Sequence, residues 1–155
     1  MKTHNFFPVL ISASLLTSFS TGMLLSCGHT GAKGHVYLVS GNQMPSPSPD
    51  QAPPKPKGIK TTLYIYNLTN INDVSRQGNS AFYSDISTQQ VKEVETDENG
   101  FFKVELKPGW YSLFVKKGVL FYSSQFDEKN NIHPIEVKRG KTTEVVFKAN
   151  YDAIY

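Results

Sequence analysis

The stretch Thr96-Asp97-Glu98-Asn99-Gly100-Phe101-Phe102, followed by Leu106-Lys107-Pro108-Gly109-Trp110-Tyr111-Ser112-Leu113, decides the fold class of this 155-residue chain. Asn99-Gly100 supplies the positive φ angles that a tight hairpin turn needs. Apolar and polar residues alternate on both sides of this turn, which predicts strands. Pro108-Gly109 predicts a second turn. The region therefore indicates a hairpin, a corner and a third strand.

The same alternation extends outward over most of the chain, and no segment has a helical period. Turn signals recur about every 8–12 residues, which is typical of an all-β sandwich. We predict an antiparallel sandwich of about seven or eight strands over residues 34–150, with a frayed tail at 151–155. The predicted strands are 34–40, 60–68, 91–96, 101–106, 110–117, 119–126, and a final hairpin of 132–138 with 141–148.

These residues resemble a known family. Gly34-His35-Val36, the run 41–45 and the pattern T-D-x-x-G-x-F…L-x-P-G-x-Y-x-L of 96–113 are similar to the carboxypeptidase regulatory-like domain. That family is a small transthyretin-like (prealbumin-like) β-sandwich, and the resemblance spans residues 34–148. It implies a non-catalytic scaffold or binding module, because such domains are accessories in carboxypeptidases and recur on bacterial envelope proteins. It also implies that the Tyr111 ring packs inward.

Two segments depart from the family pattern. Residues 43–57 hold six of the nine prolines, which cannot join a sheet because proline lacks the backbone N–H donor. We interpret this insertion as a solvated, extended loop, and the alternative is a ligand for a proline-recognising partner. Residues 69–90 are polar and irregular, so we predict a long loop with room for a short helical turn or an edge strand.

The N-terminal sequence predicts the cellular localisation of the protein. Lys2 precedes an apolar run at 6–16, which is too short and too interrupted for a membrane span. Leu24-Leu25-Ser26-Cys27 resembles a bacterial lipobox, and Cys27 is the only cysteine of the chain. A free thiol would be a liability in an oxidising compartment, whereas an acylated one is not. The alternative is a plain secretory signal.

The lipobox resemblance implies cleavage after residue 26 and attachment of acyl chains such as palmitate at Cys27. Residues 27–33 would then tether the fold to a membrane, and several acyl chains together anchor stably. We expect a cell-envelope lipoprotein, held at the outer membrane with its domain facing the periplasm. No acidic run follows Cys27, which mildly favours that face.

Composition and motifs predict no catalytic function. The net charge of +3 is small and the basic residues are scattered, so we expect no nucleic-acid partner. His29, His35 and His133 lie in no catalytic or metal-binding motif. The run 97–100 has too few oxygen ligands for a calcium loop and is interpreted as a turn. We therefore predict no catalytic residue, no metal and no cofactor.

The best functional clue is a set of aromatic residues opposite the aliphatic side of their strands. These candidate contact residues are Tyr64, Tyr66, Phe101, Trp110 and Phe114. A solvent-facing sheet surface is usually polar, so an aromatic one needs a cover or a partner.

Two interpretations of this face stay open. Phe82, Tyr83 and Ile86 of the long loop could fold over it, or it could be a binding platform. We predict a non-catalytic, lipid-anchored structural or protein-interaction module. The alternative is a carbohydrate- or small-ligand-binding lipoprotein that uses the same aromatic face.

Overall fold

A computed structural model of the protein describes residues 29–44 and 54–154. Strands dominate these residues, with one 3₁₀ turn at Ile71–Asp73. The strands are β1 Gly31–Asn42, β2 Lys57–Gly58, β3 Thr62–Asn67, β4 Val74–Arg76, β5 Phe82–Ile86, β6 Gln90–Glu95, β7 Phe101–Glu105, β8 Gly109–Lys117, β9 Leu120–Tyr122, β10 Pro134–Val137 and β11 Thr142–Ile154. The predicted all-β sandwich is confirmed, and it holds more short strands than alternation indicated.

The strands form a four-stranded and a seven-stranded sheet. In the four-stranded sheet, β11 lies on one edge of β1, and β7 and β2 share the other edge. The seven-stranded sheet has the order β4-β5-β9-β8-β3-β6, and β10 also pairs with β8. All pairs are antiparallel except β1 with β11, which run parallel from Gly31 opposite Thr142 to Asn42 opposite Ile154.

The predicted final hairpin is therefore wrong. β10 pairs with β8 in the seven-stranded sheet, and β11 pairs with β1 in the other. A two-residue turn signal at Arg139-Gly140 marks a change of direction, but it does not determine which strand becomes the hydrogen-bonded neighbour.

The main core lies between the two sheets. Its buried side chains come from both, among them Val36, Phe102 and Phe147 from the four-stranded sheet and Leu63 and Leu113 from the other. Burying apolar area in this way is the main driving force for folding.

The tyrosine after the Pro-Gly corner belongs to this core. Tyr111 packs inward as expected, and its hydroxyl donates a hydrogen bond to the Lys107 carbonyl at 2.8 Å. This bond lets a polar ring end lie in an apolar layer without an unsatisfied group.

Two connections cross between the sheets side by side, and Thr96 joins them. The chain passes from β2 to β3 at residues 59–61 and from β6 to β7 at 96–100. The Thr96 hydroxyl donates to the Ile59 carbonyl at 2.7 Å and accepts from the Thr61 N–H at 2.8 Å. The Thr96 N–H donates to the Thr61 carbonyl at 2.8 Å. The buried Thr96 side chain thus fixes the position of one connection relative to the other.

The predicted turn at 97–100 is present and packs against β1, but the predicted hairpin is wrong, because β6 pairs with β3 and β7 pairs with β1 in the other sheet. The Asp97 carboxylate accepts from the N–H groups of Asn99 and Phe101, so its oxygens hold the turn. Gly100 has φ +79°, and its carbonyl accepts from the Val36 N–H at 2.8 Å. A Cβ on Gly100 would lie 2.2 Å from the Val36 carbonyl oxygen. Both the conformation and the space therefore require glycine here.

The ends of the sandwich differ from the predicted boundaries. β1 begins at Gly31, so residues 31–33 of the predicted tether are paired with β7 and β11. Tyr151 of the predicted frayed tail lies in β11, and its ring packs against Tyr122 and Phe82. Both differences have the same cause. The long parallel pairing of β1 with β11 includes residues whose own alternation of apolar and polar side chains is too weak to predict a strand.

Several expectations lie outside the described residues. These are the signal segment 1–26, Cys27, and residues 45–53 of the proline-rich insertion. Of the described residues, none belongs to a helix long and apolar enough to cross a membrane. The polar segment 69–90, predicted as a long loop, contains the 3₁₀ turn and two paired strands. β4 is the expected edge strand, whereas β5 lies inside the sheet between β4 and β9, so the segment holds more strand than expected.

Replacing Gly100 tests the close approach to β1, with Gly118 as a matched control. Gly118 has φ +63°, and a Cβ there would meet nothing within 4 Å. Gly118→Ala should lower the free energy of unfolding by about 1 kcal/mol, the cost of the left-handed conformation alone. Gly100→Ala should lower it by about 3 kcal/mol or more, because backbone atoms must also move. Urea unfolding followed by circular dichroism measures both, and equal losses would contradict the close approach.

Candidate functional site

The middle of the predicted aromatic face is covered by the protein itself. Phe114 is 0% exposed and Tyr66 is 6% exposed, and their rings meet edge to face at 5.6 Å between centroids. Tyr83 and Ile86 of β5 and Ile132 form a second core with them. Tyr66 and Phe114 are therefore not available to a partner, and their expected role as contact residues is corrected.

Of the three residues expected to cover the aromatic face, two do so and one does not. Tyr83 and Ile86 pack over the face, and the Tyr83 ring lies 5.9 Å from that of Phe114. Phe82 points to the other side of β5, where it packs against the main core, and its ring lies 5.0 Å from that of Tyr122 at an interplanar angle of 58°. The difference follows from strand geometry, because adjacent residues of a strand face opposite ways.

Tyr64 lies at the rim of this covered region. It is half-buried, and its ring meets that of Phe121 edge to face at 5.5 Å. The Lys116 ammonium lies 4.7 Å from the Tyr64 ring centroid and 4.6 Å from that of Phe121. Tyr64 thus has partners within the chain on two sides.

Phe101 belongs to a different surface. It lies on β7 in the four-stranded sheet, where its ring meets His35 at 5.4 Å. Phe101 is 37% exposed, and with Val146 it lines a shallow pocket of about 240 Å³. The five candidate residues therefore do not share one face. Alternation sorts side chains within a strand, but it does not show which sheet the strand joins.

Trp110 remains open to solvent and marks the best candidate site. It is 51% exposed at the start of β8, on the same side of that strand as Phe114. Phe126, 42% exposed, lines the same groove. This surface, called the Trp110 groove, has a volume of about 610 Å³. Its lining consists of Leu68, Trp110, Phe126, Asp127, Glu128, Lys129 and Asn131.

Asp127 organises the loop that forms one wall of the groove. Its carboxylate accepts from the N–H groups of Lys129 and Asn131, each at 2.8 Å, and from the Asn131 side-chain amide at 2.8 Å. The side-chain hydrogen bond from Asn131 is the main reason why the pKa of Asp127 lies below its usual value. Asp127 is therefore ionised at neutral pH, and its charge holds the loop in shape.

Asn70 ties this loop to the body of the domain. Its side-chain amide donates to the Lys129 carbonyl at 2.8 Å and to the Asn131 side chain at 3.1 Å. Asn70 also caps the 3₁₀ turn, in a reciprocal pair with Asp73. Phe126 forms a β-bridge with Ile132, which is fully buried. The groove wall is thus fixed by hydrogen bonds and burial, as a preformed binding site requires.

Phe126 and the polar residues after it were missed by the sequence reasoning. Phe126 ended a predicted strand and carried no special pattern. The available signal was local, because Asp127 followed by Asn130-Asn131 is typical of a side-chain-capped turn. Asn130 has φ +62° in this turn, a conformation that asparagine adopts more readily than most residues.

The groove presents aromatic, carboxylate, amide and amine groups, which suits it to binding. No group of three or more His, Cys, Asp or Glu side chains that could hold a metal occurs in the described part of the chain. His133 lies apart from the groove wall in the core, stacked on Phe147 at 4.7 Å. Desolvation lowers the pKa of His133 to about 4, so this imidazole is neutral at physiological pH and serves packing.

Comparisons with known proteins place few limits on this site. No family model matches the chain, and no curated protein matches it either. One solved structure with a similar course of the chain is described as a "putative carbohydrate binding protein" from Pseudomonas aeruginosa. It is 18% identical, the match covers 79% of this chain and 90% of that one, and the TM-score is 0.44. A similarity of this size assigns neither a family nor a function.

Fluorescence quenching tests whether Trp110 is open in solution. It is the only tryptophan of the chain, so the whole signal reports on the groove. We expect iodide to quench the folded protein with a constant approaching that of the urea-unfolded chain, because half of the side chain meets solvent. The neutral quencher acrylamide controls for the charges of Glu128 and Lys129. Weak quenching by both agents in the folded state would contradict an open groove.

Proposed function

We propose that this protein is a non-catalytic, lipid-anchored cell-envelope protein whose β-sandwich binds carbohydrate in the Trp110 groove. The observation that carries the proposal is the pair of exposed aromatic side chains, Trp110 and Phe126, in a groove with charged and amide groups. The chain buries Tyr66, Tyr83 and Phe114 on this side and leaves Trp110 and Phe126 exposed.

The chemistry of a sugar fits such a groove. A pyranose ring has a face of C–H groups and a rim of hydroxyl groups. An aromatic ring can stack against the C–H face, and carboxylates, amides and amines can bond the hydroxyls. Glu128 and Lys129 are exposed beside the aromatic residues, so both acceptors and donors are within the groove. The ordered loop lowers the entropic cost of binding.

The anchor is proposed from the lipobox resemblance at 24–27 and the absence of any other cysteine. Gly31 already belongs to β1, so only a few residues separate Cys27 from the folded domain. Acylation there would hold the sandwich directly at a membrane surface. We propose the outer membrane, with the domain facing the periplasm.

A second candidate function is docking of an envelope protein on the outer face of the four-stranded sheet. Phe101, His35 and Val146 occupy one row across β7, β1 and β11, and Val146 is 52% exposed. Exposed apolar residues in one row are typical of protein contact surfaces. This row also supplies a control for the carbohydrate test.

Carbohydrate binding is tested by calorimetric titration of the full chain with chitooligosaccharides, maltooligosaccharides and peptidoglycan fragments. We expect one of these classes to bind, and Trp110→Ala and Phe126→Ala each to weaken binding by about 10-fold or more, because a central aromatic contact is lost. Phe101→Ala is the matched control, since it removes an exposed aromatic ring from the other sheet.

The controls separate the two candidate functions. Equal loss in Phe101→Ala and Trp110→Ala would contradict a site in the groove. If no glycan binds but an envelope protein co-purifies in a way that depends on Phe101, the second candidate function is supported instead.

Lipid anchoring is tested on the chain expressed in a Gram-negative bacterium. The wild-type protein should fractionate with membranes, and its mature N-terminal peptide should carry the mass of acyl chains on Cys27, because several acyl chains give stable attachment. Cys27→Ser should leave the fold unchanged and prevent acylation. An unmodified Cys27 in the mature wild-type protein would instead support a plain secretory signal.

A further inference from the structure

The segment that leads to Cys27 emerges between two turns of the sandwich. The Thr30 carbonyl accepts from the Leu106 N–H at 3.2 Å, at the start of the turn 106–109. The Thr30 hydroxyl accepts from the Gly140 N–H at 2.8 Å, in the turn 138–141. The Thr142 hydroxyl donates to the His29 carbonyl at 3.1 Å. These bonds fix the exit point of the chain between the two turns.

Both turns are basic. Lys107 lies in the first, and Lys138, Arg139 and Lys141 lie in the second, all of them exposed. These four residues are called the basic end. Lys138 pairs with Glu136 at 2.9 Å, whereas the other three form no ion pair with any residue in 29–44 or 54–154. Three carboxylates lie nearby: Glu105 is in register with Gly31, and Glu136 and Glu144 line one pocket with Lys138 and Lys141. Glu136 is paired with Lys138 and Glu144 with Lys33, which leaves Glu105 against three unpaired cations.

We infer that the basic end rests on an anionic bilayer surface and binds the phosphate groups of its phospholipids. This inference rests on the proposed anchor at Cys27. It goes further by naming the surface of the domain that faces the membrane. Two residues of chain reach at most about 7 Å, so an acylated Cys27 would bring His29 to the headgroup layer. The turns bonded to residues 29 and 30 would then lie within about one Debye length, roughly 8–10 Å, of the lipid phosphates.

Charge complementarity selects the occupant. Three unpaired cations around an exit point attract an anionic surface, and each lysine or arginine near such a surface strengthens binding about 5-fold. The acyl chains would supply the attachment, and the basic end would set the orientation of the sandwich.

The test uses the full chain carrying Cys27→Ser, so that no acyl chain contributes. The probes are vesicles of phosphatidylcholine alone and of phosphatidylcholine mixed with phosphatidylglycerol, with binding measured by co-sedimentation. The test variant combines Lys107→Gln, Arg139→Gln and Lys141→Gln. The control variant combines Lys55→Gln, Lys57→Gln and Lys148→Gln, which removes the same charge from exposed positions away from the exit point. The N-terminal segment is identical in all proteins and contributes equally.

We expect the parent protein to prefer the anionic vesicles, and the test variant to lose on the order of 100-fold of that binding. The control variant should lose much less, and about 1 M salt should abolish the difference between the two because it shortens the Debye length to about 3 Å. Equal losses in both variants would overturn the inference, since only net charge would then matter. No preference for anionic vesicles would overturn it as well.

The outcome is separable from that of the proposed anchor. Acylation of Cys27 is measured by mass on the wild-type protein, whereas the vesicle assay uses unacylated protein. An unmodified Cys27 overturns the anchor, and the vesicle preference still decides whether the basic end binds anionic lipid.

Discussion

The side-chain hydroxyl of Thr96 holds together two of the four connections that cross between the sheets in the described residues, and the rest of the sandwich depends on that junction. It bonds Ile59 and Thr61 on one crossing while its own backbone continues into the other. The adjoining turn then places Gly100 against Val36, the residue of β1 where pairing with β7 ends and pairing with β2 begins. The turn thereby holds β7 and β2 in register on one edge of β1. On its other edge, β1 pairs with β11 along the whole length of that strand. A bulky residue at Gly100 or a loss of the Thr96 hydroxyl would therefore disturb contacts far beyond one turn.

The parts of the fold that could be predicted are those controlled by neighbouring residues. The turn at 97–100 and the inward packing of Tyr111 follow from turn chemistry and two-residue alternation, and both are local properties. Whether the two strands beside that turn would pair with each other is not local, and the predicted hairpin is wrong. The parallel pairing of β1 with β11 joins residues more than 100 positions apart, and alternation looks the same whichever neighbour a strand has. For the same reason the sequence pattern could not show that Phe101 joins the four-stranded sheet whereas Trp110 joins the other.

The candidate site results from incomplete covering of one sheet face. Tyr83, Ile86 and Ile132 bury Phe114 and Tyr66, and this layer does not extend over Trp110 at the start of β8. Alternation correctly placed Trp110 and Phe114 on one side of β8, but the identity of the cover depends on contacts distant in sequence. What distinguishes the open end is the loop at 126–131, because the Asp127 carboxylate and the Asn70 amide hold it rigidly enough to present Phe126.

The two proposed surfaces lie at the same end of the sandwich, which restricts the kind of ligand that can use the groove. Trp110 directly follows the turn that contains Lys107, and in register it faces Glu136, the ion-pair partner of Lys138. A domain that rests on lipid through its basic end would therefore hold the Trp110 groove near the headgroup layer. A carbohydrate bound there must itself lie close to the membrane, so glycans linked to lipids or layered on the bilayer surface fit better than sugars free in solution.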